Sequence, residues 1–250
     1  MSTLRRFHSC AALAAAVILS LAGVAAADTI TLYATDDATM WKANPTSNFG
    51  NEPNLSVMSL SFNEHRSLLK FDLSGIPSGG TINSATLTLY SDVSQEYNAN
   101  GANPYNIAMD VFRVTNDWLE SPVTWNNRLA ATPWATGGSD YVGTTQVQDV
   151  NQYARATDNP TANDVPVSWT VTSLVNQWYQ GTYTNDGLLI RSYYVPGYYD
   201  TFQANHLYFR SSEYAGTASD PTLTVNYTVP EPAMMALLAI GGIVLIRRRK

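Results

Sequence analysis

The octapeptide Arg66-Ser67-Leu68-Leu69-Lys70-Phe71-Asp72-Leu73 constrains this chain most, because its alternation of side chains is that of a strand. Ser67, Leu69, Phe71 and Leu73 point one way; Arg66, Leu68, Lys70 and Asp72 point the other. The first set reads as a core face. Leu68 leaves the second face only partly polar, which suits a strand covered by a loop on that side, or one lining a shallow groove floored by Arg66 and Lys70.

Similar short runs recur on both sides. Ile30 to Ala34, Leu55 to Leu60, Ser84 to Tyr90, Ile107 to Thr115, Leu188 to Arg191, Leu207 to Arg210 and Leu223 to Tyr227 all read as strands. Val111-Phe112 breaks the alternation and predicts a bulge. Between the strands, Asn44 to Asn54, Ser74 to Gly80 and residues 92–105 carry the Asn, Gly and Pro density of loops. Residues 130–165 show little regular pattern. One helix is predicted, capped by Thr170, with Val171, Leu174, Val175 and Trp178 on one face and Gly181 ending it. The predicted class is all-β: an antiparallel, jelly-roll-like β-sandwich with one short helix.

The two ends of the chain are of another kind. Residues 1–27 combine Arg5 and Arg6, an apolar run from Ala11 to Val24 and the small residues Ala25 to Ala27, the three parts of a secretory signal. Cleavage is expected between Ala27 and Asp28. Cys10, the single cysteine, would be removed with it, leaving a mature chain without disulfides or thiolate chemistry. Residues 28–228 then form the domain, and residues 229–250 form a tail. In that tail Pro230-Glu231-Pro232 precedes an apolar segment, 233–246, and the basic end Arg247-Arg248-Arg249-Lys250. The segment is short for a stable membrane span, which takes about 17–25 residues. It can still stop in a bilayer with the basic end inside and the domain outside.

Between residues 28 and 229 eight Lys and Arg stand against nineteen Asp and Glu, a net charge near −11. That balance argues against nucleic acid as a partner, since phosphates need a basic footprint. It also opposes unaided capture of acidic polysaccharides, which would need a local basic patch or a bridging divalent cation.

The tail resembles the PEP-CTERM sorting signal of Gram-negative bacteria. That resemblance implies processing near the tripeptide by an exosortase-type membrane enzyme, with membrane contact only through the tail before processing. The protein would end at the cell surface or in the extracellular matrix. The domain resembles the DNRLRE family, also classed as family-96 carbohydrate-binding modules and related to disaggregatase domains. The pieces that carry this are Asn48-Phe49-Gly50 with Leu55, Arg66 to Leu73, Ser84 to Leu87, Trp118-Leu119-Glu120 with Thr124 to Asn127, Val171 to Val175 with Trp178, and Phe209 to Glu213 with Pro221 to Val225. The resemblance implies a polysaccharide-binding β-sandwich, acidic polymers such as alginate being among the family's ligands.

Sugars are held by aromatic faces and planar polar groups. Tyr193, Tyr194, Tyr198 and Tyr199 flank a Pro-Gly turn and form one candidate platform, joined by Trp41 and Tyr97 from other loops and by Arg66 and Lys70. Trp118, Trp125 and Trp178 are expected to be structural, and Glu120 and Glu213 to pair with Arg66 or Arg210 inside the fold. Calcium is the cofactor the oxygen-rich loops could hold, with Asp36, Asp37 and Glu52 as candidate ligands. Only His65 and His206 lie in the mature chain, and no catalytic motif accompanies them. Three functions follow as expectations: a non-catalytic polysaccharide binder, a structural matrix protein acting through protein association, and a polysaccharide lyase or hydrolase using the histidines.

Overall fold

A computed structural model describes residues 27–58, 63–92, 94, 108–142, 162–193 and 206–229. Two compact units are distinguished. The smaller comprises Met1–Asp28, Pro77–Thr81 and Tyr227–Lys250, and within it the Tyr227 hydroxyl donates to Asp28 Oδ2 at 3.3 Å. The larger, Thr29–Ile76 with Ile82–Asn226, holds the core and the sites considered below. Among the described residues no helix is long and apolar enough to cross a membrane; segment 233–246 lies outside them.

The strands are β1 (Ala27–Trp41), β2 (Asn54–Met58), β3 (His65–Phe71), β4 (Thr81–Tyr90), β5 (Ala108–Arg113), β6 (Asn127–Leu129), β7 (Thr132–Pro133), β8 (Pro166–Thr170), β9 (Leu188–Tyr193), β10 (His206–Arg210) and β11 (Thr222–Thr228). Their main path runs β10-β2-β3-β1-β11-β4-β8; β9 adds to β3, and β5 to β9. Strands β1, β2 and β9 all pair antiparallel with β3. A bridge between Ser91 and Phe209, with Asp92 N–H donating to Tyr208 C=O at 2.9 Å, links the end of β4 back to β10. The fold is all-β and antiparallel, a sandwich with a nearly closed sheet and, among the described residues, one short helix.

Strand β3 is buried on both faces. Leu68 joins Ala38, Met40, Phe112, Trp118, Val123, Trp125 and Trp134 in a cluster formed where the segment from Val114 to Tyr141 lies over the sheet. This is the loop-covered alternative for that face. Leu69 and Phe71, on the opposite side, are also buried, as are Leu87, Leu89 and Trp169 of β4 and β8. Trp169 Nε1 donates to Met109 C=O at 3.2 Å, and its ring meets Phe209 edge-on at 6.3 Å. Each fully buried aliphatic or aromatic side chain stabilises such a core by about 1.5–3 kcal/mol.

Covering both faces also explains where the strand pattern misleads. Strand β1 extends well past Ala34, and its register shifts between Ala34 and Asp36. Its first half alternates toward solvent, whereas Asp37 to Met40 are buried in succession. Val111 and Phe112 are both buried, but β5 keeps an unbroken register with β9, so the expected bulge there is absent. Strand β8 escaped detection because five residues containing a proline carry little pattern.

The helix, α1, spans Thr172–Tyr179 and buries Leu174, Val175 and Trp178 as predicted. Its N-cap is Val171 rather than Thr170, which ends β8, and no side chain caps it. Gly181 has φ +70°, and its N–H donates to Trp178 C=O at 2.9 Å, closing the helix in the expected place.

Candidate functional site

Strand register brings together rings that lie far apart in the chain. Trp41, the last residue of β1, pairs with His65, the first of β3. His65 pairs with Met58, Met58 with His206, and Ser56 with Tyr208. Phe49 reaches the same place through a bridge to Thr39. The result is a continuous strip of five rings. Centroids are 5.6 Å apart for Phe49 and Trp41, 5.0 Å for Trp41 and His65, 4.8 Å for His65 and His206, and 4.1 Å for His206 and Tyr208. Successive planes are inclined by 36–75°, so the strip is faceted. His65 is buried; the other four rings are half-buried and keep surface for a ligand.

Polar contacts hold the strip. The Ser56 hydroxyl lies within hydrogen-bond distance of both imidazoles, 2.7 Å from His65 Nδ1 and 2.5 Å from His206 Nε2, the tautomer of each ring setting which partner donates. Ser56 N–H donates to Thr39 Oγ1 at 2.9 Å, and Trp41 Nε1 donates to Asn63 Oδ1. Burial pushes His65 down to about 3, helped by repulsion from His206, and burial alone pushes His206 down to about 4. Both rings are therefore neutral near neutral pH.

Arg66 and Lys70 are placed in the covered face of β3. Arg66 Nε pairs with Glu64 at 2.8 Å, its NH1 donates to Gly138 C=O at 2.6 Å, and its guanidinium lies 4.8 Å and 5.5 Å from the rings of Trp125 and Tyr141. Gly138 has φ +83°, and a Cβ there would come within 2.9 Å of Arg66 NH1. Arg191 also pairs with Glu64 at 2.8 Å. Burial works to raise the Glu64 carboxyl, but the two guanidiniums outweigh it and hold it below the usual range. Lys70 Nζ donates to Asp117 Oδ1 at 2.7 Å and to Trp118 C=O at 2.5 Å.

Tyr193 ends β9, and its side chain, with Tyr97, Tyr194, Tyr198 and Tyr199, lies outside the described residues. So do Pro230, Glu231 and Pro232. Trp41 belongs to a strand rather than a loop. The remaining rings of the strip, Phe49, His65, His206 and Tyr208, were not legible as one group: the histidines are 141 positions apart in the sequence, and only tertiary register joins them.

A second cluster is acidic. Asp37, Glu120 and Glu213 each offer a carboxylate oxygen, all within 4.8 Å of one another. Glu120 and Glu213 were expected to pair with arginines. Arg66 instead takes Glu64, and Arg210 takes Asp92 and Asp164. Asp37 is 1% exposed, and its Oδ2 accepts from Ser212 N–H at 2.8 Å while Oδ1 has no hydrogen-bond partner. Asp37 N–H donates to Glu120 Oε1 at 2.8 Å. Burial, with the charges of Glu213 and Glu120, pushes the Asp37 carboxyl up to about 8 against the Ser212 hydrogen bond. Burial and the charges of Glu213 and Asp36 raise Glu120 as well, although the Asp37 N–H opposes them.

The segment Asn48-Phe49-Gly50 positions Glu120. Asn48 Nδ2 donates to Glu120 C=O at 2.6 Å and to Val123 C=O at 2.7 Å. A Cβ on Gly50 would lie 2.7 Å from Glu120 Cγ, so only glycine admits this approach. Of the other carboxylates considered from the sequence, Asp36 is half-buried beside Glu120 and accepts from Thr35 Oγ1 at 3.0 Å. Glu52 is exposed and is tied in through its backbone carbonyl, which accepts from Ser211 Oγ at 2.6 Å.

No curated protein matches the chain. The PEP-CTERM protein-sorting motif matches residues 228–250. The model of carbohydrate-binding module family 96 matches residues 28–227, nearly the whole chain between the two ends. The chain belongs to carbohydrate-binding module family 96.

Proposed function

We propose that this protein is an exported, non-catalytic polysaccharide binder of the cell surface or extracellular matrix, and that the ring strip from Phe49 to Tyr208 is its sugar platform. The observation that carries this reading is the strip itself: five contiguous rings, four of them half-buried, in a chain of a carbohydrate-binding family. Ring faces take the C–H faces of pyranoses, while the half-buried His206 imidazole and the Tyr208 hydroxyl can bond sugar hydroxyls.

The ligand class follows from charge. Arg66, Arg191, Lys70 and Arg210 are all paired with carboxylates, and the domain is strongly acidic. An uncharged polysaccharide therefore suits the strip better than a polyanion such as alginate. The sorting motif supports export and exosortase-type processing.

The histidines favour binding over catalysis. A general base works best with a pKa near the operating pH, whereas these rings sit at about 3 and 4 and share one serine hydroxyl. An array of neutral and acidic polysaccharides, read for retention and for released oligosaccharides, tests the proposal. Retention on neutral glycans without product release is expected. Product release that disappears in His206→Gln would establish the enzymatic alternative, and failure to retain any polysaccharide would leave the matrix role through protein association.

A further inference from the structure

We propose that Asp37, Glu120 and Glu213 bind one calcium ion, which joins three separate segments of the domain. Such a site needs no glycan. Its donor set, three carboxylates and neither imidazole nor thiolate, suits a hard cation and not zinc. Two oxygens bound to one calcium at about 2.4 Å lie at most about 4.8 Å apart. The three carboxylate oxygens meet that limit.

The second observation is Asp37. A carboxylate 1% exposed normally has every lone pair engaged, because an unpartnered buried acceptor costs about 1–3 kcal/mol. Its Oδ1 has no hydrogen-bond partner, and the ionisable groups acting on it, Glu120 and Glu213, are themselves acidic. The ion pairs seen among the described residues serve other carboxylates: Glu64, Asp92, Asp117 and Asp164. A divalent cation would supply both the missing partner and the missing charge. Exposed Glu213 and half-buried Glu120 leave a side open for the waters that complete calcium's six to eight ligands.

The ligands come from strand β1, from the loop that covers the sheet, and from the turn after β10. An ion there would fix the covering loop to the strand beneath it. It would also tie down β1 and β10, which carry Trp41 and Tyr208.

Calorimetric titration of the full-length protein with calcium chloride tests the site, with melting temperatures measured in calcium and in chelator. One equivalent should bind, with an affinity of the 10⁻⁴–10⁻³ M order common in extracellular modules or tighter, and chelator should lower the melting temperature. Glu120→Gln and Glu213→Gln should each weaken calcium about tenfold or more. Because Glu213 is exposed, its variant is expected to fold. Absence of calcium binding up to about ten times that range would overturn the proposal. So would unchanged affinity in both variants, or magnesium binding as tightly as calcium.

Discussion

Replacing Arg66 by methionine separates the two roles open to this residue, an internal strut and a sugar contact. Its side chain and that of Glu64 are 8% and 11% exposed, so the pair is buried. Breaking a buried pair by removing one partner costs about 3–5 kcal/mol. The low end applies, because Arg191 still holds Glu64. Loss of the stacking on Trp125 and Tyr141 adds about 0.5–1 kcal/mol for each ring. Gly138 C=O loses its donor, worth about 1 kcal/mol. Methionine refills part of the volume, leaving a net cost of about 4 kcal/mol. In a domain of this size that corresponds to a fall in melting temperature of roughly 8–16 °C. The assay is thermal unfolding followed by circular dichroism, with glycan retention measured well below the transition. Retention per folded molecule should be unchanged. A melting temperature within about 2 °C of the parent together with lost retention would refute the reasoning and make Arg66 a ligand contact.

Three further outcomes are expected. Gly50→Ala drives a Cβ against Glu120 and should cost about 1–3 kcal/mol, read as a lower denaturation midpoint; an unchanged midpoint would mean the Glu120 segment yields freely. The histidines make stability pH-dependent. Folded-state values of about 3 and 4 lie below the unfolded value near 6.5, so their contribution is complete above about 6.5 and is lost as pH falls toward 4, at up to about 1.4 kcal/mol per pH unit for each ring. Asp37, raised to about 8, acts with the opposite sign over much of that range. The difference between parent and His206→Gln isolates the histidine share: the parent should lose more stability than the variant between pH about 6.5 and 4, and parallel curves would contradict the assignment. Lys70→Met should release Trp118 C=O and Asp117, lowering the melting temperature by a few degrees without changing glycan retention.

Alternation revealed β4 and β11, and helical spacing revealed Leu174, Val175 and Trp178, because in each the burial pattern survives in one strand or turn. It failed where both faces are buried. In β1 four successive buried residues, two of them polar, leave no period to read. The same two-sided burial turned Arg66 and Lys70 from apparent surface charges into interior ones. The acidic cluster was half visible: Asp37 stood out beside Asp36, but Glu120 and Glu213 reach it through loop packing. Nothing local marks which carboxylate an arginine will take. Ser56, the hydroxyl between the two histidines, carried no signal either, being a small polar residue inside a short strand.

The ring strip is the claim on which the functional account depends, and isothermal titration of a retained neutral oligosaccharide into parent, Trp41→Ala and Tyr208→Ala protein tests it most directly. Each truncation should cost about 1–3 kcal/mol of binding, a loss of roughly 5-fold to 150-fold, in proteins that melt as a single transition. Parent-like affinity in both folded variants would contradict the account and place the sugar site elsewhere on the domain.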